Sequence, residues 1–363
     1  MNLQKTGVLL VNLGTPARAD KKAVRAFLKE FLSDARVVDL PVWIRQLLLH
    51  SVILPFRTGK TTHAYKAIWD QEKGSPLLFH SQDLLQGLQQ QLGEQYQVEL
   101  GMRYGEPSIW SAIEKLLNAR CSQVIIVPLF PQYSSAASGS AIANVMQKLL
   151  PKQHIPHLSI VSDFFREPDY IQAQVALIAP RLKDKKPDCV LFSYHSLPWR
   201  QIQKGPSVCQ ATCMQNQPCQ AISEENQLCY RAQCYETSRL IAEKLGIESY
   251  HVVFQSRLGR IPWIGPDLST VMSQLIQGGK RNLLVASPSF VADCLETLEE
   301  IGIRAKGLWQ DLGGKDFTLV PCLNSHPLWL KGLANIVKAN VRKNQIEIIH
   351  TGAAGAALDF SPT

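Results

Sequence analysis

The stretch that decides the fold is Val-Leu-Phe-Ser-Tyr-His-Ser-Leu-Pro, residues 190–198. Its first residues form an apolar run typical of a strand buried on both faces of a parallel sheet. The run ends abruptly at His195, and Pro198 then stops the strand. Ligands of open α/β sheets bind at the carboxyl ends of the strands. The stretch therefore predicts a histidine at the edge of a crevice, where an imidazole suits proton transfer or metal binding near neutral pH.

Similar apolar runs recur along the chain, separated by helical patterns. The predicted strands are 7–12, 97–102, 123–128, 157–162, 188–194, 250–255, 282–286 and 317–321. The predicted helices are 21–32, 81–92, 109–117, 140–150, 170–182, 230–245, 268–275, 294–303 and 328–340. This alternation implies right-handed crossovers on parallel sheets.

The strands fall into two sets of four on either side of the charged segment 183–187. We therefore predict an α/β protein of two similar Rossmann-like halves, each a four-stranded parallel sheet flanked by helices, around a central cleft. The predicted bounds are 1–183 and 184–341, with a cysteine-rich insertion at about 205–234 and a tail at 342–363. G-x-G-x-x-G, Walker A and G-x-S-x-G motifs are absent from the sequence, which argues against three common uses of such sheets.

The composition is that of an ordinary globular protein, with 45% hydrophobic and 19% charged residues. A net charge of +8 favours an acidic ligand or anionic lipid, whereas the Lys and Arg residues are too scattered to indicate nucleic acid. The sequence has neither a signal pattern nor an apolar run of membrane-spanning length, so we expect a cytoplasmic protein. The apolar segment 40–56 predicts either a core helix or an amphipathic lip that makes peripheral membrane contact.

An acidic cluster follows the seventh predicted strand. Asp293, Glu296 and Glu300 are three and four residues apart, so a helix would place them on one face. Such residues also suit a solvated helix N-terminus. Because this helix begins at the same sheet edge as His195, the alternative is that its carboxylates face the histidine and hold a divalent cation or accept protons.

Five of the nine cysteines fall in one polar segment, as Cys209, Cys213, Cys219, Cys229 and Cys234. Disulfides are disfavoured in a cytosolic chain, whereas thiolates select zinc or iron–sulfur clusters. The spacing lacks paired C-x2-C knuckles, which favours a cluster over zinc, and unligated thiols are the alternative. Five cysteines for four ligand positions leave the ligand set open.

Several motifs together resemble the ferrochelatase family, from about Gly7 to about Val341. They are NLGTP at 12–16, PQYS at 131–134, SYHSLP at 193–198, QSRLG at 255–259, PWIGP at 262–266 and FVADCLETL at 290–298. The resemblance implies insertion of ferrous iron into protoporphyrin IX, the last step of haem synthesis. The loop at residues 12–14 is similar to that of the bacterial protoporphyrin-using branch, and the cysteine-rich segment is similar to an insertion in which some members hold a 2Fe–2S cluster.

The resemblance also implies residue roles. His195 and Glu296 become the catalytic pair that meets iron, with Asp293 and Glu300 as accessory acids, while many family members have histidine at the position of Cys294. The expected porphyrin contacts are Leu13, Arg103, Tyr104, Tyr133, Ser196, Trp263 and Phe290. The aromatic residues among them suit the walls of a site for a flat ligand, or buried staples.

The sequence leaves several alternatives open. Which of His195 and Glu296 receives protons and which receives iron is undecided, and the oligomer is expected to be a monomer or a dimer. The other candidate functions are a haem or metal carrier without catalysis and a cobalt chelatase for a more carboxylated tetrapyrrole.

Overall fold

Two parallel sheets form the framework of the molecule. The computed structural model describes residues 5–205, 218–219, 221–257, 259 and 261–342. The strands are β1 (Thr6–Gly14), β2 (Tyr96–Tyr104), β3 (Gln123–Pro128), β4 (His157–Ile160), β5 (Cys189–His195), β6 (Tyr250–Gln255), β7 (Asn282–Ala286) and β8 (Asp316–Leu319). Their order is β2-β1-β3-β4 in one sheet and β6-β5-β7-β8 in the other, and every pairing is parallel. The predicted two-half α/β fold is confirmed.

Helices cover the sheets. They are α1 (Lys21–Ser33), α2 (Val42–Leu48), α3 (Leu54–Ile68), α4 (Pro76–Leu92), α5 (Ile109–Asn118), α6 (Ser140–Leu149), α7 (Pro168–Lys185), α8 (Trp199–Gln203), α9 (Tyr230–Leu245), α10 (Leu268–Gln277), α11 (Lys306–Asp311) and α12 (Pro327–Ala339). π-helical segments lie at Leu49–Ile53, Ser135–Gly139 and Leu295–Ala305. The last of these replaces the α-helix predicted at 294–303.

Each sheet is buried on both faces, as its apolar strands require. Alternate residues of β1 and β5 face one shared core, which includes Val8, Leu10, Val190 and Phe192. The outward-facing Leu191 belongs to a separate core beside α10 and α11. The shared core therefore joins the two halves.

The last helix crosses from the second half to the first. α12 packs against α4 and α7. A Cβ built on Gly332 would lie 2.7 Å from the Cβ of Asp169, so the close approach of α12 to α7 needs glycine there. The domain boundary at residue 183 stays a prediction.

β1 and β5 lie at equivalent positions, each between the strand that follows it and the third strand of its sheet. These are the points where the strand order reverses, and ligands of such sheets bind in the crevice there. The carboxyl ends of β1 and β5 therefore mark where a site is expected.

Candidate active site

A cavity of about 630 Å³ lies between the strand ends of the two halves. Its volume falls in the range of small-molecule sites. Residues from both halves line it, including these from the sequence-based set: Leu13, His195, Ser196, Trp263, Phe290, Glu296 and Glu300. The structure thus brings the imidazole, two of the three acids and an apolar wall together.

His195, the last residue of β5, has a defined orientation. Its Nδ1 lies 2.6 Å from the carbonyl oxygen of Ser196. A carbonyl oxygen can only accept a hydrogen bond, so Nδ1 carries a proton, and in the neutral form of an imidazole with this tautomer Nε2 has the lone pair. The backbone carbonyl of His195 accepts a hydrogen bond from the Tyr230 hydroxyl at 2.9 Å. Nε2 is therefore the atom that can take a proton or a metal.

Glu296 lies in the first turn of the π-helix Leu295–Ala305. Segments of this kind are rare and are often found at functional sites. Burial raises the pKa of the Glu296 carboxyl, the Glu300 carboxylate raises it further, and His195 opposes both. A carboxyl group tuned in this direction can exchange protons closer to neutral pH than an exposed one.

Glu300 is surrounded by hydrogen-bond donors. It accepts from the Ser256 hydroxyl, from Gln255 Nε2 at 3.2 Å and from Arg304 at 2.9 Å. Arg57 of α3, from the first half, also interacts electrostatically with Glu300: burial lowers the pKa of Arg57, whereas Glu300 raises it. Glu296 and Glu300 are together called the acidic stripe below. The guanidinium groups of Arg57 and Arg304 therefore lie near its Glu300 end.

Asp293 does not share the face predicted for it. It precedes the π-helix, is 5% exposed, and is absent from the cavity wall. It accepts hydrogen bonds from Asn324 Nδ2 at 2.8 Å and from the Thr297 hydroxyl at 3.0 Å. Cys294 lines the cavity in its place, and burial, reinforced by Glu296, raises the pKa of its thiol.

Three predicted porphyrin contacts lie away from the cavity wall. Arg103 forms an ion pair with Asp34 at 2.6 Å, and the Tyr104 hydroxyl donates to the same carboxylate at 2.9 Å. Tyr104 is fully buried. Tyr133 is half-buried, and its backbone N–H donates to the Gln233 side chain at 2.7 Å. For Tyr104, the interpretation as a buried staple therefore fits better than the interpretation as a wall of the ligand site.

Several residues of the cavity wall were not predicted from the sequence, among them Arg57, Tyr65 and Arg304. Burial raises the pKa of Tyr65 well above its ordinary value, and Glu296 adds to this effect. Arg57 and Tyr65 belong to α3, which was not predicted. Arg304 continues the four-residue spacing of Glu296 and Glu300, and that signal was available in the sequence.

The cysteine-rich segment reaches the described part of the chain at three cysteines. Cys209 and Cys213 lie outside the described residues. The Cys219 Sγ lies 2.9 Å from the guanidinium of Arg231, which is 1% exposed. Cys234 lies in α9 and is fully buried, and burial raises the pKa of its thiol well above the ordinary value. Among the described residues, no group of three or more His, Cys, Asp or Glu side chains has the geometry of a metal site.

The segment 40–56, called the lip below, is helical over most of its length and has one exposed and one buried side. Trp43 is 71% exposed, Phe56 73% and Leu47 60%. The inner side of the same segment buries Leu49 and Leu54 in the core that α1 and α3 share. In the described residues, no helix is both long enough and apolar enough to cross a bilayer.

Comparison with known proteins gives the same family as the motifs. A family model described as ferrochelatase matches residues 5–341. The ferrochelatase of Legionella pneumophila strain Paris is 51% identical over 339 residues, which cover 93% of this chain and 100% of the relative. The ferrochelatase of Coxiella burnetii strain CbuG_Q212 is 47% identical over 344 residues, covering 94% of this chain and 95% of the relative.

Solved structures share the fold at low identity. SirB from Bacillus subtilis with Fe3+ has a TM-score of 0.51 at 12% identity, covering 93% of this chain and 95% of that one. The sirohydrochlorin chelatase SirB from Bacillus subtilis subspecies spizizenii in complex with cobalt has a TM-score of 0.52 with the same identity and coverage. These likenesses concern the fold alone. By the extent and identity of its match to the family model and to the two relatives, the chain belongs to the ferrochelatase family.

Proposed function

We propose that this protein inserts ferrous iron into protoporphyrin IX to form protohaem, the last step of haem biosynthesis. One observation carries the proposal: an imidazole oriented through its Nδ1 and a carboxyl of raised pKa line one cavity between the two halves. Membership of the ferrochelatase family supports the substrate assignment.

The apolar wall would hold the macrocycle. Leu13 comes from the first half, and Trp263 and Phe290 come from the second, so a flat ring can be gripped from both sides. Metalation needs a pyrrole lone pair turned out of the ring plane, and binding energy from such walls can be used to impose that distortion.

The charges around His195 and around the acidic stripe suggest different roles for the two. Insertion of Fe2+ releases two pyrrole N–H protons, so one dication enters as two protons leave. Glu300 already accepts from several donors, and Arg57 and Arg304 lie near it. Cations at that position repel Fe2+, and a carboxylate already surrounded by donors is a poor metal ligand. We therefore assign proton removal to the acidic stripe and iron delivery to Nε2 of His195.

The test is an anaerobic absorbance time course with protoporphyrin and ferrous iron. The wild-type protein should convert the free-base spectrum to that of haem faster than the protein-free control. His195→Ala should abolish conversion while porphyrin still binds, and the exposed His157→Ala variant should behave as wild type. Porphyrin binding without conversion by the intact wild-type protein would indicate the carrier function instead.

A 2Fe–2S cluster is the cofactor proposed for the cysteine-rich segment. A guanidinium beside a sulfur stabilises the thiolate, which is the form that binds metals, and the Arg231–Cys219 contact supplies this arrangement. We assign Cys219 and Cys229 as ligands, together with Cys209 and Cys213 on sequence spacing alone. Cys234 is left out of the set because it is fully buried in the shared core, whereas Cys219 is partly exposed. Such a cluster supplies one-electron redox capacity.

We propose that the protein is cytoplasmic and that the lip makes a peripheral contact with a lipid bilayer. Its exposed aromatic and aliphatic side chains resemble an interfacial anchor, and the net charge of +8 favours anionic lipid. The helix that continues the lip, α3, contributes Arg57 and Tyr65 to the cavity wall. An apolar substrate could therefore pass from the bilayer to the site along one surface.

A further inference from the structure

The first turn of α9 holds two parts of the cavity wall. Tyr230 donates its hydroxyl to the carbonyl of His195 at 2.9 Å. Arg231 donates from Nε and Nη2 to the carbonyl of Gly265, both at 3.1 Å, in the loop that carries Trp263. Tyr230 is 7% exposed and Arg231 1%, so both side chains are fixed by their surroundings.

The Tyr230 contact acts on the peptide group that sets the imidazole. The carbonyl of His195 and the N–H of Ser196 belong to one peptide group. Tyr230 holds the carbonyl end, and the backbone oxygen of Gln255 accepts from the N–H end at 2.8 Å. The imidazole Nδ1 in turn donates to the carbonyl of Ser196. A rotation of the 195–196 peptide would therefore move both ends of the contact that orients the ring.

We propose that Tyr230 is a positioning residue for His195, acting through the peptide group between His195 and Ser196. The inference rests on the proposed metal insertion and deepens it. Because Tyr230 directly follows Cys229, this hydroxyl also connects the cysteine-rich segment to the backbone of His195.

The test compares Tyr230→Phe with Tyr194→Phe. Tyr194 is the residue before His195, and its buried hydroxyl is 2.7 Å from Ser238 rather than bonded to the histidine carbonyl. Both variants remove one buried hydroxyl from the same core. For Tyr230→Phe we expect kcat to fall roughly fivefold to fiftyfold, with KM for porphyrin within about twofold. Tyr194→Phe should keep kcat within about twofold.

A second readout does not depend on turnover. In protein labelled with 15N-imidazole, the ring resonances of His195, assigned by their loss in His195→Ala, should shift in Tyr230→Phe and stay in place in Tyr194→Phe. Replacing Tyr230 with 4-aminophenylalanine, which keeps a donor, should restore both kcat and the resonances. Unchanged His195 resonances in Tyr230→Phe, or equal losses of kcat in the two Phe variants, would overturn the proposal. An inactive wild type would refute the metal insertion instead, and the resonances would still decide the contact.

Discussion

The Arg103→Ala variant tests whether Arg103 contacts the porphyrin or acts only in a buried ion pair with Asp34. The side chains of Arg103 and Asp34 are 16% and 9% exposed, and they meet at 2.6 Å. Removing one partner of a buried pair costs about 3–5 kcal/mol. Tyr104 and Ser140 still donate to Asp34, which favours the lower end. We expect a loss of about 3 kcal/mol, or roughly 6–12 °C in the Tm of the half that contains the pair.

The loss should depend on pH in a defined direction. Burial raises the pKa of Asp34, but the Ser140 hydroxyl, the Arg36 N–H, the Tyr104 hydroxyl and the Arg103 charge outweigh it and lower the pKa below 3.8. A depressed carboxyl pKa stabilises the fold above the unfolded value and ceases to do so as the pH falls through the folded value. The Tm difference between wild type and Arg103→Ala should therefore be full at pH 7 and shrink below about pH 4.

The assay is thermal unfolding followed by circular dichroism, with porphyrin affinity measured by fluorescence quenching. Porphyrin Kd should stay within about twofold, because Arg103 is not on the cavity wall. Lys115→Ala is the control, since Lys115 is 63% exposed in its pair with Glu99 and should lose less than about 1 kcal/mol. A Kd weakened tenfold with an unchanged Tm would refute the reasoning and restore Arg103 as a propionate contact.

Three further outcomes test other parts of the molecule. Burial raises the pKa of Glu296, so its carboxylate destabilises the fold as the pH rises above the pKa of the unfolded chain, near 4.5. Glu296→Gln should therefore raise the Tm at pH 8 but not at pH 4. The same substitution should lower the rate of iron insertion about a hundredfold or more. An unchanged Tm at pH 8 would contradict this. Replacing both Trp43 and Phe56 with Ser should weaken sedimentation with anionic vesicles about tenfold or more, whereas Leu150→Ser, which alters another residue 73% exposed, should not. Cys219→Ser should remove the visible absorbance and acid-labile sulfide of a 2Fe–2S cluster, and Cys234→Ala should retain both; equal effects would refute the ligand assignment.

The sheets were predictable from the sequence because strands buried on both faces are continuously apolar. All eight runs form strands, although the edge strands β4 and β8 are shorter than predicted. α3 was missed because its apolar residues follow no single helical face. The π-helical form of Leu295–Ala305 was missed because it depends on backbone hydrogen bonds shifted by one residue, which no side-chain pattern reports.

The site was predictable where a side chain follows directly from a strand end. His195 and Phe290 lie where the strand pattern places them, on the cavity wall. Arg103 also follows a strand pattern, but its environment is set by Asp34, which is 69 residues away in sequence. Asp293 turned inward because Asn324 supplies a partner from another loop. Long-range polar partners of this kind leave no local signal.

The two halves share a strand order but contribute unlike groups to the cavity, and the reason lies at the two equivalent strand ends. β1 ends at Gly14, whose φ is 113° and where a Cβ would collide with the carbonyl oxygen of Tyr104. Only glycine fits that approach, so this strand end carries no functional side chain, and its neighbour Leu13 supplies apolar wall. β5 ends at His195 instead, with its imidazole oriented by the next carbonyl. If the first half grips the macrocycle and the second handles protons and iron, substitutions at Leu13 should act mainly on porphyrin affinity and those at His195 on turnover.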